Sequence, residues 1–248
     1  MTALVRPITY DAFRREAQSG DILVCRAASP EGRLIVHVTH DEHSHASLVG
    51  WINEAYRDDP GSSALMIVES VQHQRTRIVP LSGEIERYSG YYDVFRPKDV
   101  YPRLFGHLYD GRSAFAWACR GAGSKYGWWD LLRVLCRRYL PWPFNCLPPI
   151  PDSQDPLAKR DCACRVHAAI RSFGGPRVKL FDCEAVPGDF TDLKLFDYIG
   201  TLYWSVEEAD EVTRNLSAYR VLEAATLDAA ENGWDKDEDE DEEDDDAA

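Results

Sequence analysis

Long apolar runs are missing from this 248-residue chain. The longest, such as Ala64-Leu65-Met66-Ile67-Val68, fall far short of the roughly 20 apolar residues that cross a bilayer, so no membrane span is expected. Met1 to Asp21 holds no apolar block of the kind an export signal needs, which points to the cytoplasm. A basic patch comparable to the acidic run at the chain's end is also missing, with 28 Lys and Arg against 42 Asp and Glu, which argues against nucleic acid as a partner. No internal repeat or heptad pattern is visible. Cysteine, in contrast, is present seven times, an odd and scattered number that does not fit a secreted disulfide framework. Free thiols in a reducing compartment fit better, and one of them can be kept for chemistry.

What is present is enough apolar material for one sizeable core, at 44% hydrophobic and 11% aromatic residues. The net charge of -14 is unevenly placed. Asp235 to Asp246 contains a single lysine among acidic residues, and the rest of the chain is close to an ordinary soluble domain. Such a segment repels itself and buries nothing. We therefore expect a domain over 1–233 and a disordered acidic tail over 234–248, the tail acting as a solubilising end or as a docking arm for a basic protein partner.

Along the chain, Thr9 to Gln18 reads as a short helix stopped by Ser19-Gly20. Asp21 to Cys25, Leu34 to Val38, His45 to Val49, Leu65 to Val71, Arg77 to Leu81 and Tyr92 to Arg96 read as short strands separated by turn residues. This spacing predicts a mostly antiparallel sheet or a small barrel. Helical periodicity follows over Val100 to Arg120, with Leu104, Leu108, Phe115 and Ala118 as core candidates. Helices are also expected over Trp128 to Tyr139 and Asp161 to Phe173, with the proline-rich Pro141 to Pro156 as an irregular connection. Asp192 to Trp204 is an unassigned element among these helices, and Val206 to Ala230 reads as a closing helix. Sheet first and helices after gives an α+β class.

The strongest local signal is Asp161-Cys162-Ala163-Cys164-Arg165-Val166. Asp161 is a favoured N-cap residue. It would set Cys162 in a first helical turn, where the helix dipole favours a thiolate nucleophile. Cys164 is the alternative nucleophile; about 200° away by helical geometry, it points off the apolar side shared by Cys162, Val166 and Ile170. A cysteine nucleophile needs a base. His45 stands at the head of the apolar strand Ala46 to Val49, and a strand holds an imidazole within the tolerance that catalysis requires. His43 would share its face if the strand reached that far, although His37, His40 and His43 read as loop residues. Glu69 is the candidate to orient the imidazole, because a carboxylate in an apolar strand needs a partner. A zinc site from these histidines with Cys162, Cys164 and Cys183 is the rival reading, but the spacing fits no zinc motif, and no metal or other cofactor is expected.

Taken in order, Gly20-Asp21-Ile22-Leu23, Ser44-His45-Ala46-Ser47-Leu48-Val49, Ile67-Val68-Glu69-Ser70, Pro80-Leu81, Asp93-Val94-Phe95-Arg96, Gly123-Ser124-Lys125-Tyr126, Cys162 to Val166 and Pro187-Gly188-Asp189-Phe190 form a recognisable series. It resembles the circularly permuted NlpC/P60 group, the YiiX-like branch of the papain-like cysteine hydrolases. Ala163 and Cys164 depart from the serine and glutamate that follow the family cysteine. The resemblance implies a papain-like fold with Cys162 as nucleophile, His45 as base, Glu69 as orienting group and Tyr126 as an oxyanion or substrate contact. The implied reaction is hydrolysis of an amide in a cell-wall peptide or protein. A lipid acyl hydrolase or acyltransferase, or an inactive interaction scaffold, are the alternatives. Trp117, Trp128, Trp129, Trp142 and Phe144 are candidates either for an apolar substrate groove or for the core.

Overall fold

The computed structural model describes residues 6–26, 30–56, 58, 62–71, 74–87, 90–98, 108–139, 153, 155–179 and 184–204, all within the unit Met1–Ser205. The closing helix expected over Val206 to Ala230, the acidic tail, Leu104, Trp142, Phe144, Cys183 and most of the proline-rich connection lie outside these residues.

Among the described residues, seven strands and six α-helices make an α+β unit. The strands are β1 Pro7–Thr9, β2 Ile22–Arg26, β3 His43–Ile52, β4 Ala64–Ser70, β5 Thr76–Pro80, β6 Tyr92–Pro97 and β7 Phe196–Tyr203. The helices are α1 Tyr10–Glu16, α2 Pro30–Thr39, α3 Leu81–Arg87, α4 Gly111–Arg120, α5 Trp128–Tyr139 and α6 Cys162–Ser172. The strands form one sheet in the order β1-β7-β6-β2-β3-β4-β5. Every ladder is antiparallel except β1 with β7. Among the described residues no ladder joins β1 to β5, so the sheet is open and the barrel alternative drops away.

Both faces of this sheet are covered, and that is why its central strands read as unbroken apolar runs rather than alternating ones. Ile22, Val24, Ala46, Leu48 and Val68 pack with Phe115 and Ala118 of α4 and Val166 and Ile170 of α6. Leu23, Cys25, Val49, Leu65, Ile67 and Val94 pack on the other face with Phe13 of α1 and Leu81 and Ile85 of α3.

Three expectations are corrected. Leu34 to Val38 is not a strand: Pro30 opens a helix there, and the β-branched run is overridden by a helical split in which Ile35 is 6% exposed and Leu34 63%. Leu108 is not core but 66% exposed, since α4 begins only at Gly111. The segment after Asp192 returns to the sheet as β7, between β1 and β6, so the order is not sheet first and helices after. Strand β1 and helix α3 were not foreseen.

Two of the motifs turn out to be one structural device. Asp21 is buried, and Arg96 grips it with both arms of its guanidinium, Nε to Oδ1 at 2.7 Å and Nη2 to Oδ2 at 2.8 Å. Burial nevertheless raises the Asp21 carboxyl above its usual value, against the pull of Arg96. The preceding Gly20 has φ +98°, and a Cβ there would stand 2.5 Å from the Gly111 Cα, so glycine is required where β2 meets the start of α4.

Candidate active site

Helix α6 starts where the sequence offers its cap. Asp161 is extended (φ -71°, ψ 180°), and its Oδ1 accepts the Cys164 N–H at 2.8 Å, while its carbonyl accepts the Arg165 N–H at 3.2 Å. Cys162 is therefore the first helical residue. The N–H groups of Cys162 and Ala163 are the two of that turn that neither the cap nor the helix ladder uses.

The helix is buried on every side from Cys162 to Ile170, so helical angle does not separate the two cysteines, contrary to the expectation that Cys164 points away from the core. Their partners separate them. The Cys164 thiol donates to Asp161 Oδ2 at 3.1 Å and faces the Ala185 carbonyl at 3.9 Å. The His45 imidazole and the Tyr126 hydroxyl both lie close enough to Cys162 for its sulfur to raise their values. An imidazole and a phenol thus flank Cys162.

His45 reaches that position through an irregularity in the sheet. The β2–β3 ladder pairs Cys25 with His45 but Arg26 with His43, so Ser44 is an extra residue. A bulge of this kind re-aims the side chains beside it. Nε2 of His45 meets Glu69 Oε2 at 3.0 Å, which leaves Nδ1 for the thiol. Glu69, on neighbouring β4, is 5% exposed and receives Arg77 Nε on its other oxygen at 2.7 Å. Arg77 extends to Glu84 Oε2 at 3.0 Å. Burial alone would raise the Glu69 carboxyl, but the His45 and Arg77 cations outweigh it and hold it below the usual range. Burial likewise opposes a charge on His45, yet the Cys162 sulfur and the Glu69 carboxylate push the imidazole up to about 10. Burial, with Cys162 and Asp161 adjacent, raises the Tyr126 phenol well above its ordinary value, so its hydroxyl remains a donor at neutral pH. The structure thus brings together all four residues singled out, Cys162, His45, Glu69 and Tyr126.

Three participants were missed. Arg77 was seen only as part of a strand. His43 was taken for a loop residue, but it lies in β3, 8% exposed. Its Nδ1 meets Asp41 Oδ1 at 2.8 Å and its Nε2 meets Asp93 Oδ2 at 2.9 Å. Burial opposes the charge, but the two carboxylates push this imidazole up to about 9. Asp93 also accepts Arg26 Nε at 2.9 Å. The third is Arg165, 2% exposed, with Nε on Ser70 Oγ (2.7 Å), Nη2 on Ser124 Oγ (2.6 Å) and the Ala158 carbonyl (3.2 Å), and Nη1 on the Pro156 carbonyl (2.8 Å). It anchors the loop that carries Asp161. Burial and the Arg160 cation lower its value to about 10. Its place in the text, where the family motif has no fixed residue, gave no signal.

A narrow recess with room for about one water lies beside Cys162, which is itself 4% exposed. Ile35, Leu131, Leu135, Val186 and Pro187 give it an apolar wall, and Ser44 and Asp161 are its polar members. Trp117 is buried beneath the Arg160 guanidinium, 5.2 Å from the ring centre, and does not line it. Among the described residues no three His, Cys, Asp or Glu side chains gather as metal ligands would, and no helix is long and apolar enough to cross a membrane.

No family model matches the sequence, and no curated protein is similar to it at a significant level. Among solved structures, the crystal structure of metalloprotein YiiX from Escherichia coli O157:H7 is similar to this chain, with a TM-score of 0.39 and 19% identity over 65% of this chain and 68% of that one.

Proposed function

We propose that the chain is a papain-like cysteine hydrolase of the permuted NlpC/P60 type, working through an acyl-enzyme on Cys162. The observation that carries this reading is the unbroken series Glu84–Arg77–Glu69–His45 ending on the sulfur of the first residue of a capped helix. An imidazolium between a sulfur and a fixed carboxylate is the arrangement an activated thiolate requires.

In this mechanism the Cys162 sulfur attacks the substrate carbonyl carbon, and the resulting oxyanion accepts the Cys162 N–H and the Tyr126 hydroxyl. His45 gives its proton to the leaving nitrogen as the carbon–nitrogen bond breaks. Water then attacks the thioester, His45 takes the water proton, and the acid departs. Glu69 keeps the imidazole oriented throughout, with Arg77 fixing Glu69. The favoured substrate is an amide of a cell-wall peptide or protein. A lipid acyl substrate is the second reading, favoured by the apolar wall of the recess beside the sulfur.

The test is alkylation near neutral pH with mass-spectrometric mapping of the label. Fast, selective modification of Cys162 supports the hydrolase. Burial pushes the Cys25 thiol well up and Cys119 to about 11, so these two stay slow. Uniform slow labelling of all thiols would reject the hydrolase in favour of an interaction scaffold.

A further inference from the structure

Helix α5 is amphipathic in an unusual direction. Its inner side sends Leu131 and Leu135 to the recess wall and buries Val134. Its outer side carries Trp129, 81% exposed, Leu132, 48% exposed, and at its start Trp128, 42% exposed. A tryptophan that bare on an ordered helix contributes nothing to the core, and several large apolar side chains together mark an interaction surface.

The surroundings indicate what kind of surface. The parallel bridge between Tyr126 and Arg160 sets Lys125 and Lys159 on neighbouring segments, and both are exposed. Leu157, 58% exposed, lies two residues before Lys159. Asp155, on the same loop, is turned to the Leu157 N–H at 2.9 Å. By sequence, the stretch from Lys125 to Arg138 holds Lys125, Arg133, Arg137 and Arg138 against Asp130 alone, with Arg137 paired to Glu184 at 3.0 Å, in a chain whose net charge is -14. Exposed tryptophan and leucine with two exposed lysines on the adjoining segments is a composition that seats in the headgroup layer of an anionic bilayer: indole rings settle at the boundary between chain and headgroup, and ammonium groups meet lipid phosphates. A sugar-binding platform would use the aromatic faces but gains nothing from Leu132 and Leu157.

We propose that the outer face of α5, with Trp128, Trp129 and Leu132, and the adjoining rim of Lys125, Leu157 and Lys159 form an interfacial docking surface for anionic lipid. This proposal stands apart from the catalytic reading, since none of its residues is given a role in the proposed chemistry, although Tyr126 lies edge-on to Trp128.

The experiment is co-sedimentation of the full chain with vesicles of phosphatidylcholine alone and with phosphatidylserine added. Wild type should pellet with the anionic vesicles and weakly or not at all with the neutral ones. The exposed pair Trp129→Ser and Leu132→Ser should lower binding about tenfold or more, and Lys125→Glu with Lys159→Glu by a similar factor, roughly fivefold per lysine. Trp129→Phe should retain most of it, and circular dichroism should be unchanged in every variant. The proposal is overturned if wild type ignores anionic vesicles or if the Trp129 and Leu132 variant binds them as well as wild type. It is also overturned if the face proves to hold two copies of the chain together in sedimentation equilibrium without any vesicle binding.

Discussion

His43 and His45 are two residues apart on one strand, both are held as cations, and they are placed for opposite ends. His43 sits between two carboxylates, Asp41 and Asp93, with Arg26 beyond. Both of its ring nitrogens are spent on carboxylates. His45 has Glu69 on one nitrogen, and the neighbouring Cys162 sulfur, beside a narrow recess, raises its value further. The same imidazole on the same strand is therefore a rivet in one place and, in the proposed mechanism, a proton carrier in the next. The comparison teaches that a raised imidazole value does not mark catalysis by itself; what separates the two is whether the second nitrogen is spent on a fixed acceptor.

The contrast can be broken first at the thiol and its base. Cys162→Ser should abolish any acyl transfer, and Cys164→Ser should retain most of it, as measured by single-turnover acylation with an activated ester. The reverse order would hand the role to Cys164. His45→Gln should slow alkylation of Cys162 by a factor on the order of 10² to 10³, whereas His43→Gln should leave that rate within about threefold.

Stability should show the mirror image. His43→Gln leaves Asp93 and Asp41 short of a buried cation and should cost about 2–4 kcal/mol, read from denaturant midpoints at constant m. A loss below about 0.5 kcal/mol would make His43 dispensable and erase the distinction.

Alkaline titration sharpens the contrast further. Both imidazoles are raised in the folded chain above their ordinary value near 6.5, so each binds its proton more tightly folded than unfolded. Their stabilisation is complete below about pH 6.5 and is lost as pH rises, through about 9 for His43 and about 10 for His45. Unfolding free energy should fall between about pH 7 and 10, and His43→Gln should flatten the lower part of that decline. Cys162 reactivity, in contrast, should change shape only in His45 variants. The smallest effect is expected from truncation after Asn232. Removing a self-repelling acidic segment should leave the melting temperature within a few degrees and the labelling rate unchanged.

Much of this was legible because it lies in local text. Asp161 before Cys162 announces a capped helix, and Glu69 in an apolar strand announces a partner. What escaped is what depends on register. Nothing in Ser44 advertises a bulge, because period-two reading puts His43 and His45 on one face and the extra residue cancels that. Asp93 and Asp41 are unremarkable until the sheet order brings β6 to β2 and β2 to β3. Leu34 to Val38 misleads because β-branched residues favour strands until a helix start is enforced upstream. The exposed face of α5 was equally hidden, since tryptophans on an apolar helix read as core.

Arg165 carries one more consequence, and it concerns time. Its acceptors come from β4, from the turn before α5 and from the loop before α6, so its partners are 95, 41 and fewer than ten residues away in sequence. A guanidinium taken out of water is costly until all of these arrive. The segment carrying Cys162 is therefore expected to settle with the rest of the unit rather than piecemeal. A half-folded chain would carry a cysteine but no aligned dyad, and native-state hydrogen exchange should show the α6 amides opening only with the whole unit.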